Sequence, residues 1–163
     1  MKPAPPRAAP GFALVAAVAF GGVAAALVSQ HVYDMQPCAW CVLQRLIFIV
    51  IGLVALAGLA WRTRRGARAT SWAVLVLAAC GVAAALWQHL VAASSESCRL
   101  TLAERIVYGL RLDALAPEVF FARASCAEAS VSMLGVPYAL WSLALFVLLG
   151  AIALWAAGGP ARR

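Results

Sequence analysis

The chain has 163 residues, of which 65% are hydrophobic and only 12% are charged. A soluble domain is typically about 45–50% apolar and about 25% charged, so this composition excludes an ordinary soluble domain and indicates a membrane protein. The net charge of +7 does not indicate a nucleic-acid-binding face, because the charges are sorted between two sides of a predicted membrane. The length suits a single membrane domain over residues 1–163.

Four apolar runs, at about 11–28, 42–61, 71–90 and 136–155, are long enough to cross a hydrocarbon core, which takes roughly 20 residues of helix. Each run predicts an α-helix, because backbone polar groups in lipid must be satisfied within the segment. The first run could instead be a cleaved signal peptide, but it is longer than an apolar core of about 7–15 residues, which favours a retained helix. The predicted fold is therefore an all-α, antiparallel four-transmembrane-helix bundle, with a long loop at about 91–135 between the third and fourth helices.

Charge predicts the orientation of these helices. One side carries eight basic residues: Lys2, Arg7, Arg62, Arg64, Arg65, Arg68, Arg162 and Arg163. The other side carries all six acids: Asp34, Glu96, Glu104, Asp113, Glu118 and Glu128. The positive-inside rule makes the basic side cytoplasmic, so both termini are expected inside and the long loop outside. Tyr138 and Trp141 are expected at the outer interface, or else packed between helices.

The cysteines carry the chemical signal. Cys38 and Cys41 form a Cys-x-x-Cys motif at the outer end of the second span, while Cys98 and Cys126 lie in the outer loop. Disulfides persist outside the cytoplasm, and the first turn of a helix stabilises the reactive thiolate. Pro37 suits the start of that helix. Two dithiols on one side of a membrane therefore suggest a path for electrons.

Two further side chains are candidates for this site. Arg45 follows Cys41 by four residues and lies on the same helical face, where it could lower a thiol pKa or bind a carbonyl oxygen; alternatively it reaches the lipid headgroups. His89, at the outer end of the third span, could face Arg45 and Cys41 or serve as an ordinary interfacial hydrogen-bonding residue. Cys80 lies in mid-membrane and is expected to be a small core residue.

The outer loop leaves alternatives open. Cys98 and Cys126 could form a disulfide that only stabilises the loop. A zinc site of four cysteines is disfavoured because the second pair is widely spaced, so no metal is expected. The pattern Thr101-x-x-Glu104 resembles a capping box and predicts a short helix that carries Leu102, Ile106 and Leu110 on one stripe.

The segment Pro37–Arg45 resembles the signature of DsbB-type disulfide bond formation proteins. The likeness extends to Pro117–Phe120, Cys126–Glu128 and Gly135–Pro137, and covers most of the chain from about Gln30 onward. The arginine is preceded by Gln44, where many members of that family carry an acid.

The resemblance implies a thiol oxidase of the bacterial inner membrane that reoxidises a periplasmic, thioredoxin-like partner of the DsbA type. Electrons would pass to ubiquinone or menaquinone. Cys98 would be attacked by the partner, with Cys126 as its pair. Cys38 would take over the exchange, and Cys41 would contact the quinone with Arg45 and, as a second contact, His89.

Two rival interpretations fit part of this pattern. Vitamin K epoxide reductase-like proteins share a Cys-x-x-Cys and a loop pair, but there the loop pair comes first in the chain, in the reverse of the order here. A membrane scaffold with inert disulfides would bind no quinone, and the positions of Cys41 and Arg45 argue against it.

Overall fold

A computed structural model of the protein describes residues 3–92, 102–129 and 131–158. Its elements, in chain order, are α1 (Ala8–Val32), α2 (Ala39–Ala60), α3 (Arg64–Leu90), α4 (Leu102–Gly109), α5 (Leu112–Leu115), α6 (Pro117–Phe120), β1 (Ser132–Met133), β2 (Val136–Pro137) and α7 (Tyr138–Ala157).

The four long helices α1, α2, α3 and α7 are long and apolar enough to cross a membrane, which confirms the predicted all-α fold. Helix α1 packs against α2 and α7, and α3 packs against the same two helices, so the four form a closed ring in cross-section. The links at 33–38 and 61–63 are short, and short links join antiparallel neighbours.

Helix ends differ from the limits of the apolar runs. Helix α3 begins at Arg64 rather than near residue 71, because the Thr63 hydroxyl caps it by accepting a hydrogen bond from the Gly66 N–H at 3.1 Å. Helix α7 begins at Tyr138, since the two residues before it pair with β1 in a small hairpin. The hairpin turn has positive φ at Leu134 and Gly135. Hydropathy marks the lipid-facing part of a helix, whereas capping and strand pairing decide where it starts.

The basic segments meet at one end of the bundle. The Ala4 N–H donates to the carbonyl of Arg62 at 3.1 Å, which ties the N-terminal segment to the α2–α3 link. The Arg7 guanidinium lies 5.6 Å from the ring centroid of Trp155, near the end of α7. The Cys-x-x-Cys motif lies at the opposite end, where α2 begins.

The bundle core is built from aromatic and aliphatic side chains of all four long helices. Phe12, Ile51, Phe146 and Leu149 are fully buried, and the rings of Phe48 and Phe146 stack with centroids 4.1 Å apart. The expectation that Cys80 belongs to this core is wrong, because its side chain is exposed. Helix α3 turns its Ala78 and Gly81 face inward instead, and Cys80 lies on another face.

The described part of the outer loop folds onto the end of α2. Helix α4 confirms the short helix predicted there, although Thr101 lies outside the described residues. Val107 of α4 and Phe120 of α6 form a buried cluster with Val42 of α2. This packing holds the loop above the start of α2.

Candidate active site

The Cys-x-x-Cys motif sits at the first turn of α2. Cys38 is the N-cap residue, with extended backbone, and Cys41 lies within the first turn. Both are free thiols, and their sulfur atoms are 3.2 Å apart, in hydrogen-bond contact. A disulfide requires about 2.05 Å between the sulfurs, so only a small movement is needed when an oxidant removes two electrons and two protons from the pair. The hydrogen bond with Cys41, together with burial, raises the pKa of the Cys38 thiol. Burial and this contact therefore favour the protonated form of the Cys38 thiol.

Cys126 is brought to the same end of the bundle. It is disulfide-bonded and almost fully buried, and it belongs to the same buried cluster as Cys38. The N–H groups of Arg123 and Ala124 donate to the carbonyl of Pro37 at 3.0 and 3.2 Å, so the segment before Cys126 is fixed directly against the motif. Cys98, predicted from sequence as a site residue, lies outside the described residues.

A local cap orders the turn that carries Cys126. The Ser125 N–H donates to the Glu128 carboxylate at 2.8 Å, and the Glu128 N–H donates to the Ser125 hydroxyl at 3.2 Å. This reciprocal pair is a capping box. These hydrogen bonds with Ser125 hold the pKa of Glu128 below its ordinary value. The Ser-x-x-Glu pattern of this capping box is present in the sequence, although it was not among the predicted caps.

An apolar cavity of about 200 Å³ opens beside Cys41, between α1, α2 and α7. Cys41, Gln44, Arg45 and Phe48 line it from α2. Gly22 of α1 lines the opposite wall, and α7 contributes aromatic and aliphatic side chains, among them Tyr138, Trp141 and Leu145. The wall is therefore mostly apolar, with a thiol and a guanidinium as its reactive and charged groups, which is the usual make-up of a small-molecule site.

Arg45 is buried, with only 5% of its surface exposed, so it does not reach out to headgroups. Its Nη1 donates to Gln30 Oε1 at 2.6 Å and to the Val119 carbonyl at 3.2 Å, and its Nη2 donates to the Ala26 carbonyl at 3.3 Å. Among the described residues it makes no ion pair with a carboxylate. A guanidinium has five N–H groups, so these three hydrogen bonds leave two N–H groups on a side chain that lines the cavity. Gln30 also donates to the Glu118 carbonyl, which ties α1 to α6.

Helix α3 presents Gln88, rather than His89, to the cysteine. Gln88 Nε2 donates to Cys41 Sγ at 3.1 Å, and Gln88 Oε1 accepts from Gln44 Nε2 at 2.6 Å. His89 is not among the described residues that line the cavity. Successive side chains on an α-helix point about 100° apart, so His89 faces different neighbours from Gln88. The roles of Gln88 and Gln30 are not predictable from the sequence, because neutral amides carry no signal of chemistry on their own.

The fold and this site define a class: a multi-pass membrane protein with a Cys-x-x-Cys dithiol at one end of a four-helix bundle. Comparison with known proteins identifies the family to which the chain belongs. The chain matches the family "Disulfide bond formation protein DsbB" over residues 8–156. A "Disulfide bond formation protein B" from Pseudomonas syringae pv. tomato is 35% identical over 129 residues, which cover 77% of this chain and 75% of that protein.

Two further relatives carry the same name. The one from Aromatoleum aromaticum is 34% identical over 142 residues, covering 85% of each chain. The one from Ralstonia nicotianae is 37% identical over 142 residues, covering 85% of this chain and 86% of its own. The chain belongs to the DsbB family and is a disulfide oxidoreductase of the membrane that acts in disulfide bond formation. The vitamin K epoxide reductase-like alternative is thereby set aside.

Proposed function

We propose that this protein reoxidises a periplasmic, DsbA-like protein of thioredoxin fold and passes the electrons to a quinone in the bacterial inner membrane. One observation carries the proposal: the Cys41 thiol and the Arg45 guanidinium line the same apolar cavity at the end of the bundle. The sorting of basic residues to the opposite end supports a periplasmic position for the dithiols, with both termini cytoplasmic.

The proposed path uses two disulfides in series. A thiolate of the partner attacks Cys98, a bond to the partner forms, and the proposed Cys98–Cys126 bond breaks. The second partner thiol then releases the partner as a disulfide, leaving two electrons and two protons on the loop pair. Cys126 shares a buried cluster with Cys38, which supports exchange of its thiolate with the Cys38–Cys41 disulfide. That exchange restores the loop disulfide and leaves Cys38 and Cys41 as thiols.

The cavity suits the head of ubiquinone or menaquinone. Such a ring is planar and apolar with two carbonyl oxygens, and the cavity offers apolar walls with guanidinium N–H groups still free to donate. A quinone bound there would accept two electrons and two protons, and so return Cys38 and Cys41 to a disulfide. Arg45 would hold a carbonyl oxygen next to Cys41, because a buried charged donor makes a strong hydrogen bond. His89 stays a prediction as a second contact.

Two adjacent glycines of α1 give a matched test of the cavity. A Cβ on Gly22, which lines the cavity, would lie 3.4 Å from Leu145 Cδ1, whereas a Cβ on Gly21 would meet nothing within 4 Å. The variant Gly22→Leu should fill the cavity and strongly raise the apparent KM for quinone, while Gly21→Leu should leave it unchanged. The assay is quinone reduction by the purified protein with a reduced DsbA-like partner. Equal quinone dependence in the two variants would place the quinone elsewhere.

Arg45→Met tests the charged contact. A hydrogen bond to a charged group contributes about 1.5–3 kcal/mol, which corresponds to about tenfold or more in apparent quinone affinity. Arg105→Met removes an exposed arginine of α4 at the same end of the bundle and serves as the control. A scaffold with inert disulfides would show no quinone reduction in any variant or in the unmodified protein.

A further inference from the structure

Two buried glutamines form a hydrogen-bonded chain that ends on the reactive sulfur. Gln44 Nε2 donates to Gln88 Oε1 at 2.6 Å, and Gln88 Nε2 donates to Cys41 Sγ at 3.1 Å. Only 3% of Gln44 and 5% of Gln88 is exposed, so water does not compete for these groups. The chain links α2 to α3.

We propose that Gln88 is a catalytic residue that stabilises the thiolate of Cys41, and that Gln44 is the positioning residue that orients the Gln88 amide. The role in turnover rests on the proposed function, whereas the effect on the thiolate does not. An amide carries a donor and an acceptor that exchange places when the group turns over. Gln44 removes this ambiguity, because its N–H donates to the Gln88 oxygen and so directs the Gln88 N–H to the sulfur.

The arrangement gives Cys41 a donor that carries no charge and does not titrate. An N–H that donates to a thiolate is a charge-assisted hydrogen bond, roughly twice as strong as one between neutral groups. In a site shielded from water the bond gains further strength. The Cys41 sulfur thus keeps its donor at every pH at which the protein is folded, and Arg45 supplies the positive charge.

The other groups around the sulfur are few. On α2 they are Cys38, 3.2 Å away, and Arg45; on α7, Tyr138 lines the same cavity. Three titratable side chains of α3 and α4 are absent from the described lining of the cavity: His89, Glu104 and Arg105. The variant Gln88→Leu therefore removes a neutral hydrogen-bond donor and leaves every charge near the Cys41 sulfur in place.

The test measures how fast Cys41 is alkylated as a function of pH, in full-length protein whose other four cysteines are replaced by serine. No quinone and no partner protein is present, so failure of the proposed function would not alter the readout. Gln88→Leu should raise the midpoint of the profile by about one pH unit, which means about tenfold less thiolate below the midpoint. An unchanged midpoint in a folded variant would overturn the proposal.

Gln44→Met separates orientation from charge, since methionine has nearly the length of glutamine, carries no charge and cannot donate a hydrogen bond. Without the Gln44 N–H, the Gln88 amide can turn its oxygen toward Cys41, so part of the stabilisation of the thiolate is lost. The midpoint should rise, but by no more than in Gln88→Leu. If Gln44→Met left the midpoint where it is, Gln44 would have no positioning role. In the quinone assay, Gln88→Leu should lose kcat at low pH and recover it above the shifted midpoint.

Discussion

A methyl group added at Gly81 should disturb both the core and the cavity. A Cβ there would overlap the ring of Phe146, which is fully buried and cannot swing into open space. That ring stacks on Phe48 at a centroid distance of 4.1 Å and an interplanar angle of 6°. Because Phe48 lines the cavity beside Cys41, displacement of Phe146 is passed on toward the proposed quinone site.

The size of the effect follows from two opposing contributions. Overpacking a close-packed core costs about 1–3 kcal/mol, and replacing glycine by alanine within a helix returns about 1 kcal/mol. Gly81→Ala should therefore lower the free energy of unfolding by up to about 2 kcal/mol. Gly21→Ala, with open space around its Cβ, should raise it by up to about 1 kcal/mol.

Reversible unfolding of the purified protein in mixed detergent micelles measures both variants under one set of conditions. Gly81→Ala should also raise the apparent KM for quinone, whereas Gly21→Ala should not. Equal stabilities of the two variants, or a stabilised Gly81→Ala, would show that the Phe146–Phe48 stack does not constrain this part of the core.

Three further outcomes are expected. Thr63→Ala removes the hydroxyl that caps the Gly66 N–H and should lower the free energy of unfolding by about 1 kcal/mol. Thr63→Ser retains the hydroxyl and should retain most of that stability, so equal losses in the two variants would contradict the capping role. The stabilisation from the Ser125–Glu128 cap should be fully present above the ordinary carboxyl pKa and should be lost only as the pH falls through the depressed pKa of Glu128. Amide exchange of Ser125 measures this loss, and Glu128→Gln should abolish its pH dependence. Cys80→Ala should leave quinone turnover unchanged, since the side chain is exposed on the bundle surface, and a large loss of turnover would give Cys80 an unforeseen role.

Much of the fold is predictable because lipid imposes strong limits on sequence. An apolar run of the right length must be helical, so the four spans correspond to α1, α2, α3 and α7. Their starts were less predictable. Arg64 is helical although it is charged, because Thr63 caps the helix there. Val136 is apolar yet lies in a strand, because the hairpin turn at Leu134 and Gly135 pairs it with Met133.

The site was predictable where chemistry has a local signature. Cys38 and Cys41 carry such a signature, and the spacing of Arg45 placed it on the same face of α2. The contacts of Arg45 with α1 and α6 depend on packing between distant segments, which spacing along one helix does not reveal. The choice between Gln88 and His89 depends on the rotation of α3 about its axis. Because both residues are polar and lie at a helix end, the sequence does not determine which of them faces the bundle.

The central claim is that electrons leave the protein through Cys41 into the cavity beside Arg45. The most direct measurement is quinone reduction by the purified protein in detergent, driven by a reduced DsbA-like partner, with Cys41→Ser compared with the unmodified chain. We expect turnover in the unmodified protein and none in Cys41→Ser, while the variant keeps its helical content and its Cys126 disulfide. Normal turnover by folded Cys41→Ser would contradict the account.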